Sequence, residues 1–414
     1  MKIALIIHEL LVEGGGERQC VALARALSKQ GHEVVLYTSA YDRAHCFPDL
    51  CKEIAIREIG RGPFQWLRKP LALRGYLDMR RLTAAIGESY DIWNPHHWPA
   101  QWGALWLKQK FGGKAVWMCN DVPNFHPHAQ HHPLSAGILR NSLYRLYYRY
   151  DHSQNRRLDR VMLVSKWAEA DFKALYVAPT QVLSPGFDPA RFTPGGARDA
   201  IRQRFGFSEH DFVMLWLGIF MPHRRLEDAI RALSAVRSHG HKAKLLLAGV
   251  TSAFPEYFSS LKNLTDSLGL QAEVTFAGKV EDKEIRDFYS SCDAFVFPNE
   301  LQTWGLAVLE AMACGRPVLA SRGAGVQEAL TDGENALLFP ARDPDALASK
   351  IELLITDPRT RSKIADNGMR LARSKYTWDQ YAAEFARSCA ELCDEQRLVG
   401  VSCSSDDAQV SPRS

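Results

Sequence analysis

Between Phe297 and Val318 the sequence FPNELQTWGLAVLEAMACGRPV joins an apolar strand end, a short polar run and a helix-like segment. Glu300 and Glu310 bracket that run, with Gln302, Thr303, Trp304, Gly305 and Leu306 between them. These residue types suit the recognition of hydroxyl groups, because a carboxylate accepts from two neighbouring hydroxyls and an amide both donates and accepts. A helix beginning near Trp304 and Gly305 would leave the first-turn N–H groups of Trp304 to Ala307 without intrahelical partners, a ready anion site for a phosphate. Gly305 would let a ligand approach the backbone closely. Glu310, inside the helix, is placed to accept both hydroxyls of a ribose. Gly315 supplies a C-terminal stop, with Pro317 beyond it. The same pattern also fits a plain amphipathic helix with a surface acid, and spacing alone does not separate the two.

The elements that must carry this run form two successive α/β patterns. In the first, KIALIIH, HEVVLYTS, YDIWNP, KAVWMCN and RVMLVSK read as strands, and GGGERQCVALARALSKQG reads as a glycine loop opening a helix. In the second, DFVMLWLG, AKLLLAG, EVTFAG, DAFVFP, PVLAS and ENALLFP alternate with helical segments. The strands are continuous apolar runs without alternation, so both faces must be covered, as in a parallel sheet with helical crossovers. The Pro- and Gly-dense LSPGFDPARFTPGG is the linker between the patterns. In open sheets of this kind ligands bind at the carboxyl ends of the strands.

Bulk properties narrow the function. A chain of 414 residues with 46% hydrophobic and 24% charged residues has material for two cores. The net charge of +4 does not call for nucleic acid. Two stretches are locally basic and aromatic: Arg61 to Arg81, with Arg68, Lys69, Arg74 and Arg80 around Phe64 and Trp66, and Arg140 to Arg160, with Tyr144, Tyr147, Tyr148 and Tyr150. They suit peripheral contact with an anionic membrane face or, equally, a solvated helix face. No apolar run reaches the ~20 residues of a membrane span. The N-terminal KIALIIHEL lacks the form of a secretory signal. Nine scattered cysteines without Cys-x-x-Cys pairs fit reduced thiols. The expected location is cytoplasmic, at the inner face of the membrane if those stretches bind it.

With Gln302 and Glu310 eight positions apart and AMACGRPVLAS following, the run resembles the Glu-x7-Glu signature of retaining GT-B glycosyltransferases, the family that uses nucleotide-diphosphate sugars. RGAGVQEALTDGENALLFPARDPDALASKI, SPGFDPARF and YTWDQYAAEF are similar to that family's following segment, linker and closing helix. The N-terminal EGGGERQCVALARALSKQGHEVVLYTSAYDRAHCF resembles mannosyltransferases acting on lipid-linked oligosaccharides. The resemblance implies an α/β GT-B fold, two doubly wound Rossmann-like domains facing across a cleft. It divides the chain into an acceptor-side domain over 1–186, with a helix over 376–395 packing back on it, and a nucleotide-sugar-binding domain over 187–375. A disordered tail is expected over 396–414, where the composition turns to Ser, Asp and Pro.

Site roles then follow by resemblance. The family's sugar-contacting Glu falls on Gln302, a departure, and its ribose-binding Glu falls on Glu310. Its diphosphate-neutralising Arg and Lys fall on Ile219 and Arg224, with Arg225 as a further cation. Gly15 and Gly16, in the loop with Gly14, resemble the loop that approaches the donor phosphates. Gly249, Val280, Thr303, Trp304, Gly305 and Leu306 complete the implied nucleotide-sugar contacts. His96 matches a recurring histidine, with His97 beside it, and Asn120 stands where the family often has another. No metal or other cofactor is implied. The histidine-rich HPHAQHHP, 126–133, reads as a loop lining the acceptor groove, or as a metal site lacking carboxylate or cysteine to complete it.

The expected activity is transfer of a hexose, mannose from GDP-mannose, to a lipid-linked or cell-surface polysaccharide acceptor. A nucleotide-sugar epimerase and a non-catalytic nucleotide-sugar binder remain as alternatives. A dehydrogenase does not fit, because GGGER lacks the Gly-x-Gly-x-x-Gly spacing.

Overall fold

A computed structural model describes residues 1–11, 14–62, 71–121 and 138–405. The chain divides into two compact units, Met1–Ser184 with Trp378–Ser414, and Pro185–Thr377.

The first unit is built on strands β1 (Lys2–Leu10), β2 (Glu33–Tyr41), β3 (Ala55–Glu58), β4 (Ile92–His96), β5 (Lys114–Cys119), β6 (Arg160–Leu163) and β7 (Thr180–Val182). Its helices are α1 (Gly15–Lys29), α2 (Pro48–Cys51), α3 (Leu71–Ala84), α4 (Ala100–Phe111), α5 (Ile138–Asn155) and α6 (Lys166–Leu175). The strands form one parallel sheet in the order β3-β2-β1-β4-β5-β6-β7. Five successive residues of β1, Ile3 to Ile7, are buried, so both faces of this strand are covered.

The second unit begins with α7 (Arg198–Arg204) and β8 (Phe212–Ile219), and continues through α8 (Leu226–Ser238), β9 (Ala243–Val250), α9 (Pro255–Ser267), β10 (Val274–Gly278) and α10 (Ile285–Ser291). It then runs through β11 (Ala294–Phe297), α11 (Leu306–Ala313), β12 (Val318–Ser321), β13 (Leu337–Phe339), α12 (Pro344–Thr356) and α13 (Pro358–Lys375). Its parallel sheet has the order β10-β9-β8-β11-β12-β13. Both sheets therefore reverse their strand order once, at β1/β4 and at β8/β11. Such a reversal splays the flanking crossovers to opposite faces and opens a crevice at the carboxyl ends of the two strands.

The last helix, α14 (Trp378–Ser405), belongs to the first unit. There Tyr381 is buried and accepts a 2.7 Å hydrogen bond from the amide of Gln19 on α1, and Arg160 reaches Ser388. The backbone is helical to Ser405 rather than disordered from 396 onward. The edge strand β3 and the short β7 have no counterpart in the apolar pattern. Their residues are half-buried or exposed, so they carry no apolar run to read.

Candidate active site

In the second unit two loops meet at the β8/β11 crevice. After β8 the chain makes a single 3-10 turn over Pro222–Arg224, and Arg225 follows in the left-handed region at φ 52° before α8 begins. After β11, Leu301 is also left-handed, at φ 53°. Non-glycine residues adopt this conformation at a cost of about 1–2 kcal/mol, so surrounding contacts must hold it. One such contact joins the two loops: the backbone N–H of Glu300 donates to the carbonyl of His223 at 2.8 Å. Another fixes the far side of the second loop, where the N–H of Gly325 donates to the carbonyl of Gln302 at 2.8 Å.

Glu310 faces inward from α11. It is 7% exposed, and its Oε2 accepts from the hydroxyl of Tyr289 on α10 at 2.8 Å. This is not the surface acid that the helical pattern also allowed. The helix starts at Leu306 with Gly305 as an uncapped N-cap, and Val308 N–H already donates to the Gly305 carbonyl. Leu306 and Ala307 are thus open first-turn donors within the expected run of Trp304 to Ala307. The helix ends as expected. Gly315 at φ 71° donates to Met312 and Arg316 donates to Ala311, the paired bonds of a Schellman stop.

Several expected ligand contacts also have structural duties. Trp304 is buried, donates its indole N–H to the carbonyl of Pro185 at 3.2 Å and packs against Tyr376. Gly305 is tightly packed, since a Cβ there would lie 3.0 Å from the Phe297 ring and 3.1 Å from Val326. Gly249, at φ 137°, lies against the Gly218 carbonyl so closely that no side chain fits. Arg225, expected as a further cation, is engaged by acids of its own unit. Its guanidinium pairs with Glu227 at 2.7 Å and Asp228 at 2.8 Å, and lies 3.9 Å from Glu300. Glu300 is in turn held by Arg342 at 2.9 Å. Arg224 stays half-buried at the end of the 3-10 turn, Thr303 is half-buried beside Gln302, and Val280 is half-buried beyond β10. Ile219, where the resemblance would put an arginine, ends β8 with 37% exposure.

Gln302 sits in a relay that the sequence did not reveal. The indole N–H of Trp216 on β8 donates to Asn299 Oδ1 at 3.2 Å, and Asn299 Nδ2 donates to Gln302 Oε1 at 2.5 Å. Trp216, Asn299 and Tyr289 were not anticipated as site residues. Asn299 gave one usable signal, a polar residue directly after the strand end FVFP.

In the first unit the β1/β4 crevice gathers Gly16, His97 and Asn120. A Cβ on Gly16 would collide with the imidazole of His97 and lie 3.1 Å from Asn120 Nδ2. Glycine is therefore needed at this position on α1 to let the histidine ring lie against the helix. Gly14 is the N-cap, without a side-chain cap, and Gly15 is the first helical residue. Asn120 is 8% exposed, and among the described residues neither of its side-chain polar atoms has a hydrogen-bond partner, nor has the buried Nε2 of His97. His97 is left-handed at φ 59°. His96, expected as the catalytic histidine, is instead fully buried in β4, with Nε2 2.9 Å from Asn94 Oδ1. Burial pushes its imidazole well below the ordinary range, and its buried Nδ1 has no hydrogen-bond partner among the described residues. The strand ends at His96, and the left-handed turn at His97 sends the next side chain toward Gly16.

The histidine-rich 126–133 lies outside the described residues, as do Phe64, Trp66, Arg68 and Lys69. Among the described residues no group of three His, Cys, Asp or Glu side chains is placed to hold a metal ion. No described helix is long and apolar enough to cross a membrane. In the basic-aromatic stretches, Tyr76 packs against Trp102 and Trp106, Tyr150 packs against Trp102, and Arg80 lies over the Trp106 ring; Tyr76, Trp106 and Tyr150 are half-buried and Arg80 is exposed.

Comparison with known proteins agrees with this architecture. Residues 13–191 match the model of Glycosyltransferase Family 4, and residues 197–370 match that of Glycosyl transferases group 1. The chain is 27% identical to D-inositol 3-phosphate glycosyltransferase 2 of Catenulispora acidiphila, over 93% of this chain and 92% of that protein. It is 24% identical to an uncharacterized glycosyltransferase of Methanocaldococcus jannaschii, over 93% of this chain and 96% of the other. Among solved structures, Anabaena HepE in complex with UDP and glucose superposes with a TM-score of 0.76 at 20% identity, covering 94% of this chain and all 100% of HepE. A sucrose-phosphate synthase from Thermosynechococcus elongatus gives 0.75 at 20% identity, over 95% and 99%. With two parallel Rossmann-like units and the two family matches together spanning most of its length, the chain belongs to the group 1 glycosyltransferases of GT-B fold.

Proposed function

We propose that this glycosyltransferase moves a hexose from a nucleotide-diphosphate sugar, with retention of anomeric configuration, to a glycan or lipid-linked acceptor. The observation that carries the donor side is Glu310. A carboxylate 7% exposed is costly unless its lone pairs are used, and Tyr289 engages one oxygen while the remaining lone pairs suit the two hydroxyls of a ribose. The open amides of Leu306 and Ala307, together with Arg224 at the end of the turn after β8, suit the negative charge of a diphosphate without a metal ion. Gln302 would contact the transferred sugar. In retention of this kind the leaving phosphate helps to deprotonate the incoming hydroxyl on the same face. Catalysis then rests on electrostatic stabilisation of the leaving group and on positioning.

Mannose from GDP-mannose is the donor to test first. UDP-glucose belongs beside it, since HepE has been crystallised with UDP and glucose. For the acceptor, relatives named for D-inositol 3-phosphate favour a second reading, a small phosphorylated polyol in place of a lipid-linked glycan. A lipid-linked acceptor would bring the enzyme to the inner face of a membrane.

A thermal-shift panel of GDP-, UDP- and ADP-sugars identifies the donor, because a ligand that binds only the folded state raises its melting temperature by mass action. Glu310→Ala should raise the donor KM by roughly 10- to 100-fold, the loss of hydrogen bonds to a charged group. Unchanged donor kinetics in that variant would sink this reading.

A further inference from the structure

We propose that Trp216 and Asn299 fix the amide of Gln302 so that it presents N–H donors to the donor sugar. The site is thereby able to take sugars whose oxygen at that point can only accept, an amide carbonyl or a carboxylate, as well as a plain hydroxyl. This rests on the reading of the second unit as the donor site.

The orientation follows from what each group is able to do. An indole N–H donates and never accepts, and Trp216 is fully buried, so it needs a fixed acceptor. That acceptor is Asn299 Oδ1 at 3.2 Å. With its oxygen committed, Asn299, itself 1% exposed, turns its Nδ2 toward residue 302. The atom of Gln302 that meets it at 2.5 Å is therefore the oxygen, and the Nε2 hydrogens are what Gln302 has left to offer a ligand. Rotating either amide would set donor against donor in the core. The backbone at 302 has no more freedom than the side chain, being tied through its carbonyl to Gly325 and preceded by the left-handed Leu301.

A glutamate at this position would satisfy Asn299 equally well but present a charged acceptor. It would bind sugar hydroxyls as donors and reject a carbonyl or carboxylate by repulsion. Gln302 removes that repulsion. Asn299 acts through Gln302 and is a positioning residue.

The test uses the full chain and three donors on one nucleotide diphosphate, a hexose, an N-acetylhexosamine and a hexuronate, with the bare nucleoside diphosphate as reference. Dissociation constants are measured for wild type, Gln302→Glu and Asn299→Asp. In Asn299→Asp the new carboxylate accepts from Trp216 and from Gln302 Nε2, so the glutamine rotates and turns its oxygen to the sugar. Both variants are expected to lose at least about tenfold in affinity for the N-acetylhexosamine or the hexuronate relative to the hexose, the scale on which an unpaired polar contact is felt. Which of the two suffers identifies the group read. Binding of the bare nucleoside diphosphate should stay within a factor of about two. An unchanged ranking of the three sugars in Gln302→Glu overturns the inference, and so does a shift in Gln302→Glu that Asn299→Asp does not share while remaining folded. If no nucleoside diphosphate binds the wild type, the donor-site reading itself has failed, and the inference with it.

Discussion

At the β8/β11 crevice Trp216 donates to Asn299, Asn299 to Gln302, Tyr289 to Glu310 and Arg342 to Glu300. At the β1/β4 crevice the buried Nε2 of His97 and both polar atoms of Asn120 have no such partner among the described residues. Both places arise from the same topological reversal of a parallel sheet, yet the side chains named in the first are paired with one another and those named in the second are not. An unpaired buried polar group costs about 1–3 kcal/mol, which a fold tolerates where a ligand is to supply the missing bonds. Under the proposed function, the first is a preorganised donor loop and the second a polar cluster for the acceptor to complete.

The largest effect should come from Gly16→Val. The added side chain collides with His97 and Asn120, and displacing them by about 1 Å should cost on the order of 100-fold in kcat/KM. Overpacking should also lower stability by about 1–3 kcal/mol, read by chemical denaturation. Near-wild-type activity would break the assignment of this crevice to the site.

Next in size is a pair of alanine variants that sets the two crevices against each other. Asn299→Ala strands the Trp216 indole and should lower stability by about 1–3 kcal/mol. Asn120→Ala removes two atoms that have no partner among the described residues, so the melting temperature should hold or rise while the acceptor KM increases. Equal destabilisation in both would erase the difference between the crevices.

A pH series distinguishes the adjacent histidines. Because the His96 pKa is lowered in the folded state, the unfolded chain binds a proton near pH ~6.5 that the folded chain refuses. Its contribution is complete above that pH and is lost as pH falls below it, by up to about 1.4 kcal/mol per pH unit. Denaturation at about pH 7.5 and 5.5 should therefore show a smaller loss in His96→Gln than in the wild type, whatever the variant's absolute stability.

The smallest effect is expected for Glu300→Gln. Its ion pairs with Arg342 and Arg225 lie near the surface and are worth at most about 1 kcal/mol, so turnover should change by no more than a few-fold. A collapse of kcat would move the sugar contact from Gln302 to Glu300.

Much of the fold was legible because its signals are local. Buried strands such as KIALIIH and DFVMLWLG are continuous apolar runs, and the stop of α11 at Gly315 follows from glycine's freedom at φ 71°. The edge strand β3 was not legible, since it buries no stripe and carries no period. At the site, the sequence put Glu310 on a helix, and only the family resemblance distinguished it from a surface acid there. The pairing of Arg225 was not legible, because Asp228 and Glu227 are ordinary first-turn acids until the left-handed turn at 225 folds the guanidinium onto them.

The sequence by itself determined the two α/β units, the helix that carries Glu310 and the departure at 302, because periodicity, caps and residue types act over a few positions. Only the tertiary structure decided that His97 rather than His96 faces Gly16, that Gly305 packs against Phe297 and Val326, and that Gln302 has a fixed orientation. Those outcomes depend on which side chains from distant strands compete for one volume or one hydrogen bond. Trp216 and Gln302 are separated by three strands, β9, β10 and β11, and more than eighty residues, and only the folded β8/β11 pair brings them together.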